Sequence, residues 1–150
     1  MSFWDTIRTS ASGLLAQRLR LDVIANNVAN AQTTRTAAGG PYQRQDVVFM
    51  PAAGGSGSTF SQIIAAQHGG MTSIQGGVQV SSIVTDQTPG ERVYDPSHPD
   101  ADKSGYVTYP NVDPVVEMTN MISATRSYEA NLSVVEAAKN MAMQALNIGK

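Results

Sequence analysis

The feature that most constrains this fold is a long heptad-like series of apolar residues near each end of the chain. In the first series, over residues 5–28, the spacing alternates between three and four, which places the series along one side of an α-helix. Its members are Ile7, Ala11, Leu14, Arg18, Leu21, Ala25 and Val28. Asn26, Asn27 and Asn30 compete for backbone hydrogen bonds, so the first helix is predicted to end near residue 30.

The second helix has a well-marked start and a long uninterrupted body. Asp113 can cap free amides, Pro114 suits the first helical position, and Glu117 favours the positive end of the helix dipole. No glycine or proline follows until Gly149, which is a plausible stop signal. The predicted apolar series is Met118, Met121, Thr125, Tyr128, Leu132, Val135, Lys139, Ala142 and Leu146.

These two series predict a mainly α fold with a small β region. The long N- and C-terminal helices, within residues 1–30 and 114–150, should form an antiparallel coiled-coil-like pair, with Leu21 near Leu132. The series contain Ala, Thr, Arg and Lys, so the pair should bury less apolar area than a zipper of Leu and Ile. We therefore expect further chains to cover it.

The segment between the helices, residues 31–113, is predicted to hold short strands and loops. Strand candidates at residues 42–50, 77–84, 91–94 and 106–109 are bounded by Gly, Pro and Asp clusters. Residues 51–75 form a glycine-rich insertion, which begins with linker composition and includes a possible short helix at residues 60–67.

Composition argues against several classes of function. A formal net charge of -2 gives no basic surface for nucleic acid or an anionic membrane, and cysteine is absent. No phosphate-binding loop, hydrolase motif or membrane-length apolar run occurs, and the charged N-terminal segment is unlike a cleaved signal peptide. We expect no enzyme, no cofactor, no nucleic-acid binding and no direct insertion into a membrane.

A short acidic run has residue types that are found in metal sites. Asp95, His98, Asp100 and Asp102 lie close together in DPSHPDAD. The prolines are unsuited to a calcium loop, and the Gly and Glu that an EF-hand requires are out of place. A solvated turn is therefore the favoured interpretation, and we predict no metal site there.

Four segments resemble the flagellar axial protein family. Residues 12–34, SGLLAQRLRLDVIANNVANAQTT, resemble its N-terminal signature, which ends in A-N-N-x-A-N-A-x-T. Ala25, Asn26, Asn27, Ala29, Asn30, Ala31 and Thr33 supply that pattern. PYQRQDVVF, VYDPSHPDADKSGYVTYPNVDPVVEM and RSYEANL, at residues 41–49, 93–118 and 126–132, resemble the proximal rod members of the family.

The resemblance implies a structural subunit of the rod that crosses the periplasm within the flagellar basal body. It implies export by the flagellar type III apparatus without a cleaved signal peptide, polymerisation through terminal helices that form an inner rod-core domain, transmission of torque, and a wall around the export channel. The implied partners are copies of itself, other rod proteins, membrane-ring and rod-adaptor proteins, and the export apparatus.

The predicted assembly residues lie on the two helices and on the turn after the first. They are Ile7, Leu14, Leu21, Ala25, Asn26, Asn27, Val28, Asn30, Met118, Met121, Tyr128, Leu132, Val135 and Leu146. Two alternatives share the amphipathic ends, namely a distal rod or hook-type subunit and a helical binding module or export adaptor. Such a module should fold as a monomer, whereas a rod subunit needs neighbours.

Overall fold

Two long helices and two small antiparallel sheets make up the structure, a computed structural model that describes residues 3–52 and 76–148. In chain order the elements are α1 (Phe3–Ala29), β1 (Gln45–Pro51), β2 (Val78–Thr85), β3 (Arg92–Tyr94), β4 (Tyr106–Thr108) and α2 (Pro114–Ile148). At about 1.5 Å per residue, α1 is roughly 40 Å long and α2 roughly 52 Å long. The predicted fold class is confirmed, whereas the predicted helix at residues 60–67 lies outside the described residues.

The ends of both helices follow from local chemistry. Asp113 Oδ1 accepts hydrogen bonds from the amides of Val115 (2.8 Å) and Val116 (3.4 Å), which confirms the predicted N-cap of α2. At the end of α1, Asn30 Nδ2 donates to the carbonyl of Asn26 at 3.0 Å, and the Thr33 hydroxyl donates to Asn30 Oδ1 at 3.1 Å. The asparagine-rich segment therefore ends the first helix, as predicted.

Contacts at three levels show that α1 and α2 run antiparallel. Asn27 donates to Glu117, and fourteen residues earlier in α1 Gly13 lies against Asn131, fourteen residues later in α2. Seven residues further along each helix, Thr6 and Ala138 line the same cavity. The two helices thus keep one register over several turns.

This register corrects the predicted contact between Leu21 and Leu132. The pairs above place Leu21 level with Ser123, nine residues from Leu132 along α2. Nine residues correspond to about 13 Å along a helix, too far for contact between two leucine side chains. The prediction paired the largest apolar residues, whereas polar contacts near Asn27 set the observed register.

α1 packs through a face one residue away from its predicted apolar series. Its buried residues are Ser10, Gly13, Ala16, Val23, Ile24 and Asn27. Of the predicted residues, Ala11, Arg18 and Ala25 are exposed, and Ile7, Leu14, Leu21 and Val28 are half-buried. The shift rotates the contact face by about 100°. Its physical reason is close approach, because an Asn131 atom lies 3.0 Å from the point where a Cβ on Gly13 would stand.

α2 shows a smaller shift of the same kind. Its buried residues are Glu117, Ala124 and Ala138. Half-buried residues on the same side include Met121, Tyr128, Asn131, Val135 and Ala142. Every second predicted residue, Met121, Tyr128, Val135 and Ala142, thus borders the contact face. The others, Met118, Thr125, Leu132, Lys139 and Leu146, are exposed, since small and polar residues one position earlier permit a closer contact.

The strands form two separate ribbons. β1 pairs with β2 from Gln45 opposite Thr85 to Pro51 opposite Val78, with an irregularity after Val48. β3 pairs with β4 from Arg92 opposite Thr108 to Tyr94 opposite Tyr106. All four predicted strands are confirmed, with ends shifted by up to three residues.

The first ribbon is fastened to α1 by a glycine and a serine. Ser12 Oγ accepts a hydrogen bond from the amide of Val78 at 3.0 Å and donates to the carbonyl of Thr9 at 2.7 Å. A Cβ on Gly77 would overlap Ser12 Oγ, so only glycine permits this approach of the ribbon to the helix.

The buried apolar core of the described residues is small. It consists of Ala16, Val23, Ile24, Val47, Val107, Val112, Ala124 and Ala138. No aromatic side chain belongs to this set, and many larger apolar side chains on both helices face solvent. Within residues 3–52 and 76–148, neither helix has an apolar stretch sufficient to span a bilayer.

Candidate functional site

Among the described residues, a hydrogen-bonded cluster joins both helices to the start of β1. We call it the Asn27 network, and it consists of Asn27, Tyr42, Arg44, Asn111 and Glu117 with the backbone of Gln45. The cluster brings together residues that lie up to 90 positions apart in the chain. It is therefore a tertiary feature and not part of any single helix or strand.

Asn27 lies at the centre of this network and is fully buried. Its Nδ2 donates to the carbonyl of Gln45 at 2.8 Å and to Glu117 Oε2 at 2.9 Å. Its Oδ1 accepts from the amide of Gln45 at 3.0 Å and from the Tyr42 hydroxyl at 3.0 Å. An amide side chain offers two donor hydrogens and two acceptor lone pairs, so Asn27 is fully satisfied within its own subunit.

Glu117 supplies a buried negative charge in the first turn of α2. Its side chain is 1% exposed, and Oε1 accepts from Arg44 Nε at 2.9 Å and from Asn120 Nδ2 at 3.3 Å. The hydrogen bond to Glu117 raises the pKa of Arg44. Burial, followed by the negative charge of Glu117, raises the pKa of Tyr42, so its hydroxyl remains a hydrogen-bond donor.

A second set of hydrogen bonds fixes the loop that precedes α2. The amide of Arg44 donates to Asn111 Oδ1 at 2.8 Å, and Asn111 Nδ2 donates to the carbonyl of Asp86 at 3.1 Å. The amide of Asp86 in turn donates to the carbonyl of Arg44 at 2.8 Å. The loop before α2 is thus attached to Arg44 and Asp86, the residues directly before β1 and directly after β2.

The outward side of α2 carries an apolar stripe that the predicted series did not contain in full. We define the α2 stripe as Val115, Met118 and Ile122, which are 72%, 58% and 57% exposed. Their spacing of three and four residues places them on one side of the helix. Glu117 is the only charged residue among residues 114–125, and it is buried, so this part of α2 presents an uncharged surface.

The predicted assembly residues fall into three classes of exposure. Ala25, Asn26, Met118, Leu132 and Leu146 are exposed. Ile7, Leu14, Leu21, Val28, Asn30, Met121, Tyr128 and Val135 are half-buried. Asn27 differs from all of them, because it is fully buried and its side-chain hydrogen bonds are all made within the subunit. Sequence reasoning missed Arg44 and the internal role of Glu117, but the spacing of Val115, Met118 and Ile122 could have revealed the α2 stripe.

The acidic run between β3 and β4 is a hydrogen-bonded turn. Asp95 Oδ1 accepts from the hydroxyl of Ser97 at 2.6 Å and from its amide at 3.0 Å, which lowers the pKa of Asp95. Asp102 accepts from the amides of Tyr106 and Ser104, and these bonds lower its pKa as well. Among the described residues, no group of three potential metal ligands comes together.

Asp100 is also occupied, because it accepts a hydrogen bond from the Thr34 hydroxyl at 2.8 Å and lies 3.7 Å from Arg35 Nη1. The loop therefore uses its carboxylates to hold a turn and to attach it to the segment after α1.

Two protein-family models match the chain, and each covers much of one helix. The model described as flagella basal body rod protein matches residues 7–35. The model described as flagellar basal body rod FlgEFG protein C-terminal matches residues 103–148.

Curated relatives align over the whole chain. The flagellar basal-body rod protein FlgC of Bacillus subtilis is 44% identical, with 100% of both chains aligned. FlgC of Borreliella burgdorferi is 45% identical over 99% of this chain and 98% of the relative. FlgC of Salmonella typhimurium is 39% identical, again over 100% of both chains. The chain therefore belongs to the FlgC family of flagellar basal-body rod proteins.

Proposed function

We propose that this chain polymerises with copies of itself and with other rod proteins through the outward faces of α1 and α2. Its family membership makes it a structural subunit of the basal-body rod and not an enzyme. In the proposal, the two helices form the inner domain of the proximal rod, and residues 31–113 form its outer part. The assembled subunits transmit torque and surround the export channel.

The observation that carries this proposal is the uncharged, apolar outer surface of α2. Covering a Val, Met or Ile side chain contributes about 1.5–3 kcal/mol relative to leaving it in water. The three residues of the α2 stripe are more than half exposed, and no exposed charge among residues 114–125 would have to be desolvated. A neighbouring helix can therefore cover this surface without burying an unpaired ion.

The proposal also covers how the subunit is exported and which proteins it contacts. Export proceeds through the flagellar type III apparatus without a cleaved signal peptide, and the subunit then contacts membrane-ring and rod-adaptor proteins as well as rod subunits. End-to-end likeness to several FlgC proteins supports a proximal position over a distal rod or hook position. A solitary helical binding module is disfavoured by the small core and by the exposed apolar side chains on both helices.

The test places a charge in the centre of the proposed contact. Ile122→Asp should not disturb the contacts within the subunit, because Ile122 already faces solvent. In an assembled rod it would bury a carboxylate, which costs several kcal/mol without a partner. In a motile strain that depends on this chain, we expect the variant to be secreted, absent from purified basal bodies, and non-motile.

Ile122→Leu is the matched control, because it retains an apolar side chain of similar size, and it should assemble and swim. Circular dichroism of both purified variants should match that of the unmodified chain. A motile Ile122→Asp strain with normal basal bodies would exclude the α2 stripe as a polymerisation surface.

A further inference from the structure

We infer that the Asn27 network selects the register of the two helices, a role that the rest of the helix contact does not perform. This is an internal function of the subunit, separate from polymerisation. It assigns Asn27, Arg44 and Glu117 as positioning residues, although the family signature alone would place Asn27 among the assembly contacts.

At Gly13, the contact between α1 and α2 is compatible with more than one register. Gly13 lies against Asn131, and the buried residues one heptad to either side of Asn131 are Ala124 and Ala138. Sliding α2 by one heptad, about 10.5 Å, would place one of these alanines beside Gly13. Alanine is smaller than asparagine, so neither slide would create a clash at Gly13.

The network does not tolerate such a slide. Moving Ala138 to the level of Gly13 would bring Ala124 to the level of Asn27 in place of Glu117. Alanine has no side-chain acceptor, so Asn27 Nδ2 and the Arg44 guanidinium would lose hydrogen bonds in a buried or partly buried place. The opposite slide would bring Pro110, which precedes α2, to that level.

Two consecutive residues at the start of the first ribbon serve as the common reference for both helices. The backbone of Gln45 binds α1 through Asn27, and the side chain of Arg44 binds α2 through Glu117. Because Arg44 and Gln45 are adjacent in the chain, these bonds fix the position of α2 along α1. A buried polar residue that selects one register among several is a well-attested device in paired helices.

Disulfide trapping can test this inference because the chain contains no cysteine of its own. Gly13→Cys is combined in turn with Asn131→Cys, Ala124→Cys or Ala138→Cys, which report the observed register and the two registers one heptad away. A disulfide requires Cα atoms within about 7 Å, so each pair reports one register. Cross-linking of the full-length chain is measured on non-reducing gels, and the bonded peptides are identified by mass spectrometry.

With the network intact, only the pair at residues 13 and 131 should cross-link in high yield. The triple variant Asn27→Leu, Asn111→Ala, Glu117→Leu removes three of the five network side chains, including the hydrogen bond between the helices, and makes the centre apolar. In it, the yield of the pair at residues 13 and 138 should rise at least fivefold. Asn27→Asp retains the size of the side chain but removes the Nδ2 donor, and it should shift the yields in the same direction.

Asn26→Leu is the matched control, since it makes the same substitution at the neighbouring, exposed position. It should cross-link as the intact chain does. The inference would be overturned if the network variants still cross-linked only at residues 13 and 131. It would also be overturned if they lost all cross-linking, or if the intact chain gave the slipped pairs in comparable yield. Because the measurement uses the unassembled chain, its failure would leave the polymerisation proposal unaffected.

Discussion

The two ends of the helix pair are held together in different ways. At the network end, where the end of α1 meets the start of α2, Val23, Ile24 and Ala124 are buried around the pair of Asn27 and Glu117. At the free end, where the start of α1 meets the end of α2, the buried residues are small, as at Ser10, Gly13 and Ala138. One end has a satisfied polar cluster, and at the other the Asn131 side chain lies directly against Gly13.

The free end also leaves large apolar side chains exposed. Trp4 and Leu146 are each 74% exposed, and Phe3, Thr6, Ala138, Met141, Ala142 and Ala145 line an open cavity of about 390 Å³ between the helices. Helices whose fully buried residues are small bury little apolar area, so this end contributes less to the stability of the lone subunit. The comparison indicates that the network end specifies the subunit, whereas the free end depends more on its neighbours.

The largest effect is expected from Arg44→Met at the network end. Removing one partner of a buried ion pair leaves Glu117 as an uncompensated buried charge, which should lower the free energy of unfolding by about 3 kcal/mol. Urea unfolding of the purified chain measures this change. Arg18→Met, at an exposed position of α1, should alter it by less than about 0.5 kcal/mol. Equal losses in the two variants would remove the distinction between the network and the rest of the helix pair.

A smaller loss is expected from Gly13→Leu at the free end. The new side chain would meet Asn131, and overpacking of this kind costs about 1–3 kcal/mol. We expect a value near the middle of that range, because the free end can open while the network holds the other end. Hydrogen exchange should quicken for amides of residues 131–145 and remain unchanged near Glu117. Ala11→Leu, at an exposed position two residues earlier, should show neither effect.

Asp113→Ala tests how much the cap at the start of α2 contributes. It should lower the free energy of unfolding by about 1 kcal/mol, the usual cost of removing an N-cap. Asp113→Asn retains an acceptor oxygen and should remain close to the unmodified chain in thermal unfolding. Since Glu117 lies in the turn that Asp113 caps, hydrogen exchange should quicken there and not at the free end. An equal loss in Asp113→Asn would show that charge, and not capping, stabilises this turn.

The smallest effect concerns the turn between β3 and β4, outside both ends of the helix pair. Hydrogen bonds from Ser97 lower the pKa of Asp95 below its ordinary value of 3.8. The associated stabilisation is therefore present above pH 3.8 and is lost as pH falls through the lower, folded-state pKa. In an NMR titration, the Ser97 amide should shift with a midpoint below 3.8, without concurrent change at Asn27. A midpoint at or above 3.8 would contradict the hydrogen bonds described here.

Local patterns predicted much of this protein correctly. The cap at Asp113, the proline after it and the helix end at the asparagine-rich segment depend on residues within one or two turns of each other. The four strands were likewise marked by their flanking turn residues. These features could be read without knowing which segments meet, because the groups that make each hydrogen bond lie close together in the sequence.

Residue patterns along the chain were therefore sufficient to predict two long helices, four short strands, their approximate ends and the family to which the chain belongs. Tertiary packing set which helix faces meet, because close approach at Gly13 favours a face of α1 that is less apolar than the adjacent, predicted one. It also decided the register and the partners of Asn27. Those depend on Arg44, Gln45 and Glu117, which the chain brings together from distant positions, and no local pattern states which distant group will satisfy a buried amide.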